Sequence, residues 1–163
     1  MLNIKMIVLA EIKEKYFVSA CDEYKKRLSG MCKLSEIVIK EERLPENPTA
    51  GEIEDALMKE AAKIAPHIPQ SPHSYTITLC VEGTQFTSEE LADKIKKLTS
   101  EQSVSELCLI IGSSHGLHKS IKEASNLKLS ISKLTFPHTM MRPLMYEVVY
   151  RTMSILNNKK YHK

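Results

Sequence analysis

The chain has 163 residues, of which 42% are hydrophobic and 26% are charged, and it carries a formal net charge of +3. These values are typical of one globular domain and exclude a disordered or fibrous protein, while the mild positive charge permits an RNA partner without requiring one. No apolar run is long enough for a signal peptide or a membrane span, so we expect a cytoplasmic protein. The four cysteines lack C-x-x-C spacing, so we expect them to be free and buried.

Strand patterns alternate with helix patterns along the chain. Five runs rich in isoleucine, valine and leucine predict strands at residues 3–9, 34–40, 75–81, 107–111 and 127–131. Helical periodicity predicts helices at residues 14–28, 49–65, 87–98, 117–124 and 143–156, the third opening on a capping box from Thr87 to Glu90. Short buried strands joined by helices favour a single doubly wound α/β domain with a mostly parallel sheet and helices on both faces.

Two segments do not fit a simple series of strands and helices. Residues 40–52 are polar and contain proline, which predicts a mobile surface loop. Residues 132–143 are less polar, and Phe136, Met140 and Met141 indicate that this segment packs against another surface. The second segment is therefore a candidate for function.

The glycines after the fourth predicted strand form a pattern with two interpretations. Gly112-x-Ser114-x-Gly116 matches the nucleophile elbow of serine hydrolases, and it also suits a loop whose backbone surrounds a small ligand. A hydrolase of that class needs an acid and then a histidine later in the chain, and the only acids after Ser114 are Glu123 and Glu147. Both fall on predicted helices, whereas the acid that orients the histidine normally comes from the end of a later strand. Ser114 as a nucleophile is therefore the weaker interpretation.

Other familiar sites are poorly supported. The chain has no G-x-G-x-x-G after its first strand and no phosphate-binding P-loop motif, and His115 and His118 have no third metal ligand nearby, so we predict no metal site. Three predicted strand ends are nonetheless followed by unusual connections, at residues 79–83, 112–116 and 132–138. Since ligands of open parallel sheets bind at the carboxyl ends of the strands, backbone groups on these three loops could surround an adenosine.

Several longer motifs carry a family resemblance. The segments ITLCVEG, LIIGSSHGLHK and LSISKLTFPHTMMRPLMYEVVYR, with the terminal YHK, resemble the SPOUT-class methyltransferases of the RlmH type, which modify N3 of a pseudouridine in 23S ribosomal RNA. The resemblance covers essentially the whole chain. It implies a C-terminal trefoil knot in about residues 75–163, S-adenosylmethionine as the cofactor, and a homodimer that acts on the 23S RNA of assembled ribosomes.

The resemblance also assigns residues to the site. The positions that match cofactor-binding residues are Leu79, Gly112, Ile131, Ser132, Lys133, Leu134, Thr135 and Phe136. A side chain at Gly112 would then be expected to intrude on the cofactor. Chain positions that would face the RNA or the transferred methyl group are Arg142, Lys160, Tyr161, His162 and Lys163.

Methylation of an imide nitrogen calls for a general base, because N3 is a poor nucleophile until it is deprotonated. The histidines His162 and His138 are the titratable candidates, with Arg142, Tyr161 or Lys163 available for charge stabilisation or positioning. For His138 a helix-capping role is an equal alternative, and Pro143 is expected to mark the start of the last helix. Two other functions stay open at this point: a non-catalytic ribosome- or RNA-binding module of the same fold, and a serine hydrolase.

Overall fold

The structure is a computed structural model and describes residues 1–159. In this part of the chain five strands alternate with five α-helices, and a short 3-10 helix, Ala65–His67, follows the second α-helix. The elements are β1 Asn3–Leu9, α1 Lys15–Leu28, β2 Lys33–Ile39, α2 Ala50–Ile64, β3 Ser74–Thr84, α3 Ser88–Glu101, β4 Glu106–Ile111, α4 Lys119–Ala124, β5 Leu127–Leu129 and α5 His138–Leu156.

All five strands lie in one parallel sheet, in the order β2-β1-β4-β3-β5. Alternate side chains of β1 point to opposite faces: Ile4 and Met6 join a core under α1, α3 and α5, whereas Ile7 and Leu9 join a core under α2 and α4. Because both faces are covered, the predicted doubly wound α/β architecture is confirmed.

Side-chain capping sets the start of two helices. The predicted capping box at α3 is confirmed, since the Thr87 hydroxyl accepts the Glu90 backbone N–H and the Glu90 carboxylate accepts the Thr87 N–H. Thr49 and Glu52 form the same reciprocal pair at the start of α2. The end of the polar segment 40–52 therefore belongs to a capped helix.

Helix α5 begins five residues earlier than the sequence predicts. Proline occurs preferentially in the first turn of a helix, yet Pro143 is the sixth residue of α5 and is buried. Its ring removes the N–H that would bond the carbonyl of Thr139, at a cost of about 3 kcal/mol. The expectation that Pro143 marks the helix start is therefore wrong, and the buried side chains of Met145, Tyr146 and Val149 offset the loss by packing against the sheet.

A bulge near the end of β3 brings two backbones into close approach. Leu79 and Thr84 both lie opposite Leu129 of β5, so residues 80–83 are left outside the regular pairing. A Cβ atom on Gly83 would lie 2.6 Å from the carbonyl oxygen of Lys128, closer than such atoms approach in proteins. Glycine is thus required at this position by the backbone of β5.

The cysteine prediction is confirmed: all four cysteines are free and buried. Burial raises the pKa of Cys108 to about 12 and also raises the pKa of Cys80. These thiols are therefore protonated near neutral pH. Within residues 1–159, no helix has the length and apolar character needed to cross a membrane, and no three His, Cys, Asp or Glu side chains are grouped as metal ligands.

Candidate active site

A cavity of about 440 Å³ lies at the carboxyl ends of β3, β4 and β5. Most of its wall consists of residues 79–82 from the β3 bulge, 111–117 at the end of β4 and after it, and 129–132 and 134–138 from the end of β5 to the start of α5, and Lys122 of α4 and Met141 of α5 complete it. This volume falls within the roughly 300–1,000 Å³ of typical small-molecule sites. The three connections singled out in the sequence therefore meet around one cavity.

Most of the predicted cofactor-binding residues line this cavity. Seven of the eight are in its wall: Leu79, Gly112, Ile131, Ser132, Leu134, Thr135 and Phe136. The eighth, Lys133, has an exposed side chain and does not line the cavity. Their roles in binding stay predictions, but the fold brings these seven positions together from three separate parts of the chain.

The loop after β4 is a tight turn. The Gly116 N–H donates to the Ser113 carbonyl over 2.9 Å, and Gly116 has a φ of +86°, which favours glycine. A Cβ atom on Gly112 would overlap the Gly116 carbonyl oxygen and lie 2.9 Å from Cγ of Leu117. The turn itself therefore has no room for a side chain at Gly112, which is a reason for glycine that does not depend on a ligand, and intrusion on the cofactor stays a prediction.

The connection between β5 and α5 is held by its own serines. The buried Ser130 donates its hydroxyl to the Ser132 carbonyl over 3.0 Å, and the Ser132 hydroxyl accepts the Leu134 N–H over 3.0 Å. The Ser130 N–H also donates to the Thr84 carbonyl at the end of β3. These bonds fix the backbone that forms one side of the cavity, while the Leu134 side chain is 73% exposed.

An ion pair that the sequence analysis missed lies in the cavity wall. Lys122 of α4 donates its ammonium group to the Glu82 carboxylate over 2.6 Å, and both residues line the cavity. This hydrogen bond is the main reason why the pKa of Glu82 is lowered. The two residues are 40 positions apart, so no sequence spacing could have paired them.

Of the two candidate general bases, His138 lies in the described part of the chain. It is the first residue of α5 and lines the cavity, and its Nε2 is 3.9 Å from a carboxylate oxygen of Glu41. The N-cap position of α5 is occupied by Pro137, which makes no side-chain capping bond. The structure therefore favours a position at the site over the alternative that His138 caps the helix.

Arg142 is held inside the chain. Its guanidinium donates to the Ala10 carbonyl over 2.6 Å and lies 3.4 Å from a Glu36 carboxylate oxygen, and only 11% of its side chain is exposed. Ala10 has a φ of +70°, a conformation that alanine rarely adopts. Arg142 thus ties the start of α5 to the end of β1, and contact with RNA or with the methyl group stays a prediction.

The tail residues lie outside the described part of the chain. Lys160, Tyr161, His162 and Lys163 follow the last described residue, Lys159. Their predicted roles in catalysis and RNA binding therefore stay predictions from the sequence.

The geometry around Ser114 does not suit a hydrolase. Ser114 is exposed on the turn, and within residues 1–159 no histidine or carboxylate side chain hydrogen-bonds to its hydroxyl. Glu147, one of two acids later in the chain, is paired with Arg151 one helical turn away at 2.6 Å. A serine nucleophile needs a positioned base, so this interpretation has no support from the described geometry.

Comparison with known proteins identifies the family. Residues 2–162 match a family model described as "Predicted SPOUT methyltransferase". The chain is 46% identical over 160 residues to the ribosomal RNA large subunit methyltransferase H of Caldicellulosiruptor bescii, covering 98% of this chain and 99% of that protein. It is 42% identical over 162 residues to the protein of the same name from Clostridioides difficile, with 99% and 100% coverage.

One solved structure supports the fold. The chain matches the structure titled "The structure of a probable methylase family protein from Haemophilus influenzae Rd KW20" with a TM-score of 0.53. The match covers 99% of this chain and 71% of the other, at 17% sequence identity. At that identity the likeness concerns the fold alone.

Proposed function

Because the chain belongs to the SPOUT methyltransferase family, we propose that it methylates N3 of a pseudouridine in the 23S ribosomal RNA of assembled ribosomes. The observation that carries the proposal is the cavity at the ends of β3, β4 and β5, lined by seven of the eight positions that resemble cofactor-binding residues. Two relatives named ribosomal RNA large subunit methyltransferase H, similar along their full length, support the RNA substrate.

SPOUT methyltransferases use S-adenosylmethionine, and the cavity suits such a molecule. It combines apolar residues, such as Leu79, Ile131 and Leu117, with polar residues such as Ser132 and Thr135. An adenosine needs this mixture, because its flat ring is apolar on both faces and its edges require hydrogen-bond partners. When bound, the cofactor supplies a methyl group already activated on a sulfonium sulfur.

The trefoil knot belongs to the same proposal. Its support is the family membership of the chain, which the family model shows over residues 2–162. Knots are rare in proteins, so general rules of chain topology would not predict one here.

A homodimer is also proposed. Three large apolar side chains of the segment before and at the start of α5 are exposed: Leu134, Phe136 and Met140. Exposed apolar groups concentrated in one segment favour a contact with another protein surface. A second copy of the chain at this place would lie next to the cavity, since Leu134 and Phe136 also line it.

The chain's own residues have three tasks in this reaction. The walls of the cavity exclude water and orient the methyl donor. Correct orientation of the two reacting groups can supply much of the rate enhancement of a group transfer. A base must take the proton from N3, for which His138 at the cavity and His162 in the tail are the candidates. The negative charge that develops on the uracil ring needs a cationic or hydrogen-bonding partner, which the basic tail can supply.

The test is transfer of radiolabelled methyl from S-adenosylmethionine to assembled ribosomes that lack this modification, followed by mapping of the labelled nucleotide. We expect label on N3 of one large-subunit pseudouridine. Cofactor binding without any label would instead favour the non-catalytic RNA-binding module. Label on a different nucleotide would retain the enzyme class and overturn the substrate.

Replacement of His162 by alanine is expected to slow methyl transfer by about 100-fold, the usual contribution of a general base. The affinity for S-adenosylmethionine should change little, because the effect falls on proton removal. Single-turnover methylation of ribosomes and calorimetric cofactor binding measure the two quantities separately. A matched His73→Ala variant, at an exposed histidine that bonds the Ser103 carbonyl, should keep the full rate.

An unchanged rate in His162→Ala would remove His162 from the mechanism. In that case His138→Ala becomes the decisive variant, because His138 is the other candidate and lies at the cavity.

A further inference from the structure

Glu60 is a glutamate buried on the inner face of α2. Its side chain lies at the i+7 position of the apolar series that begins at Ile53 and continues through Leu57 to Ile64. Only 3% of the residue is exposed. A carboxylate at such a position is costly, so each of its oxygens needs a partner.

Both carboxylate oxygens of Glu60 have a hydrogen-bond partner. One oxygen accepts the hydroxyl of Ser113 over 3.0 Å, and the other accepts the backbone N–H of Glu42 over 2.9 Å. These partners belong to two different loops, the turn after β4 and the connection between β2 and α2. Glu60 therefore joins both loops to α2.

The hydrogen bonds only partly offset the burial of this carboxylate. Burial, the largest influence, raises the pKa of Glu60, and the nearby charges of Glu41 and Glu42 act in the same direction. Taking a carboxylate out of water is costly even when its oxygens are hydrogen-bonded. Stability alone thus gives little reason for a carboxylate here, whereas the bond to Ser113 gives a specific one.

Ser113 lies in the wall between two cavities. On one side is the proposed cofactor cavity, and on the other is a second cavity of about 410 Å³ lined by residues 41–45 and by Ile53 and Glu60. Ser113 itself is buried and follows Gly112 directly. The bond from Ser113 to Glu60 therefore acts next to the backbone that forms the cofactor-facing wall.

We propose that Glu60 is a positioning residue for cofactor binding, which acts through the Ser113 hydroxyl to hold the turn at residues 112–116 in place. The bond to Glu42 extends the same restraint to the loop at residues 40–49. This inference rests on the proposed function, since it concerns the cavity assigned to S-adenosylmethionine.

The test measures binding of S-adenosylmethionine by calorimetry, without RNA. Glu60→Ala and Ser113→Ala should each raise the dissociation constant about tenfold, as expected when a buried hydrogen bond is left unmade. The double variant should bind no more weakly than the weaker single variant, because both remove the same link. Asp55→Ala, at an exposed acid on the same helix, is the matched control and should bind normally.

Glu60→Gln distinguishes positioning from charge. Its amide oxygen can accept the Glu42 N–H while its amide nitrogen donates to the Ser113 hydroxyl oxygen, so the link survives without charge. We expect an affinity within about threefold of the wild type. In methyl-transfer assays the alanine variants should show a raised KM for the cofactor, with kcat at saturation nearly unchanged.

The outcomes separate this inference from the proposed function. If the wild type binds no S-adenosylmethionine, the cofactor assignment itself fails. If the wild type binds but Glu60→Ala and Ser113→Ala bind equally well, the positioning role of Glu60 is overturned. Additive losses of binding free energy in the double variant would also overturn it. If Glu60→Ala does not fold, the affinity of Ser113→Ala decides the test.

Discussion

Alanine at Gly112 is expected to weaken cofactor binding, with the dissociation constant for S-adenosylmethionine raised by about 10- to 100-fold. The added Cβ atom would overlap the Gly116 carbonyl oxygen and lie 2.9 Å from Leu117 Cγ, so the turn must open to admit it. Overpacking of this kind costs about 1–3 kcal/mol, and the displaced backbone is itself a wall of the cavity. Calorimetric titration with S-adenosylmethionine measures the loss.

Gly51→Ala is the matched control for this variant. Gly51 lies in α2, and the nearest atom to an added Cβ there is the Thr49 hydroxyl oxygen at 4.0 Å. Alanine should stabilise the helix by about 0.5–1 kcal/mol and leave cofactor binding unchanged. Normal binding by Gly112→Ala would show that the turn adapts at little cost and would contradict the role given to it.

The second large effect concerns the close approach of β3 and β5 at Gly83. Gly83→Ala is expected to lower the free energy of unfolding by about 3 kcal/mol or more, because its Cβ atom would meet backbone atoms of two residues. These are the Lys128 carbonyl oxygen at 2.6 Å and the Leu129 carbonyl carbon at 2.7 Å. Neither atom can turn away as the end of a side chain can. Urea-induced unfolding followed by circular dichroism measures the change.

Gly30→Ala provides the comparison for the β3 variant, since no atom lies within 4 Å of a Cβ atom at Gly30. Its unfolding midpoint should stay close to that of the wild type. Equal stability of Gly83→Ala and Gly30→Ala would mean that β3 and β5 approach less closely in solution.

The two glycines have different consequences for function. Gly83 holds the β3 bulge against β5, which places residues 80–82 in the cavity wall. Gly112 acts within one turn and determines the shape of the opposite wall. We therefore expect loss of stability to dominate in Gly83→Ala and loss of binding to dominate in Gly112→Ala.

The regular elements were largely predictable because buried strands and amphipathic helices have different apolar periods. Strand β1 has the predicted bounds, and the capping box at Thr87 located the start of α3 within one residue. The start of α5 was not predictable from Pro143, because local preference places proline in a first turn and tertiary packing outweighed it. The resemblance in turn identified residues that the fold brings to one cavity.

The sequence by itself determined the order of strands and helices, the family, and seven residues that line one cavity. Only the tertiary structure decided why Gly112 and Gly83 are needed, which partner holds Arg142, and what the buried Glu60 contacts. The physical reason is the separation along the chain over which each interaction acts. Periodicity and capping depend on neighbours within a few positions, whereas the bond between Glu60 and Ser113 joins residues 53 positions apart, which only the folded sheet brings within 3.0 Å.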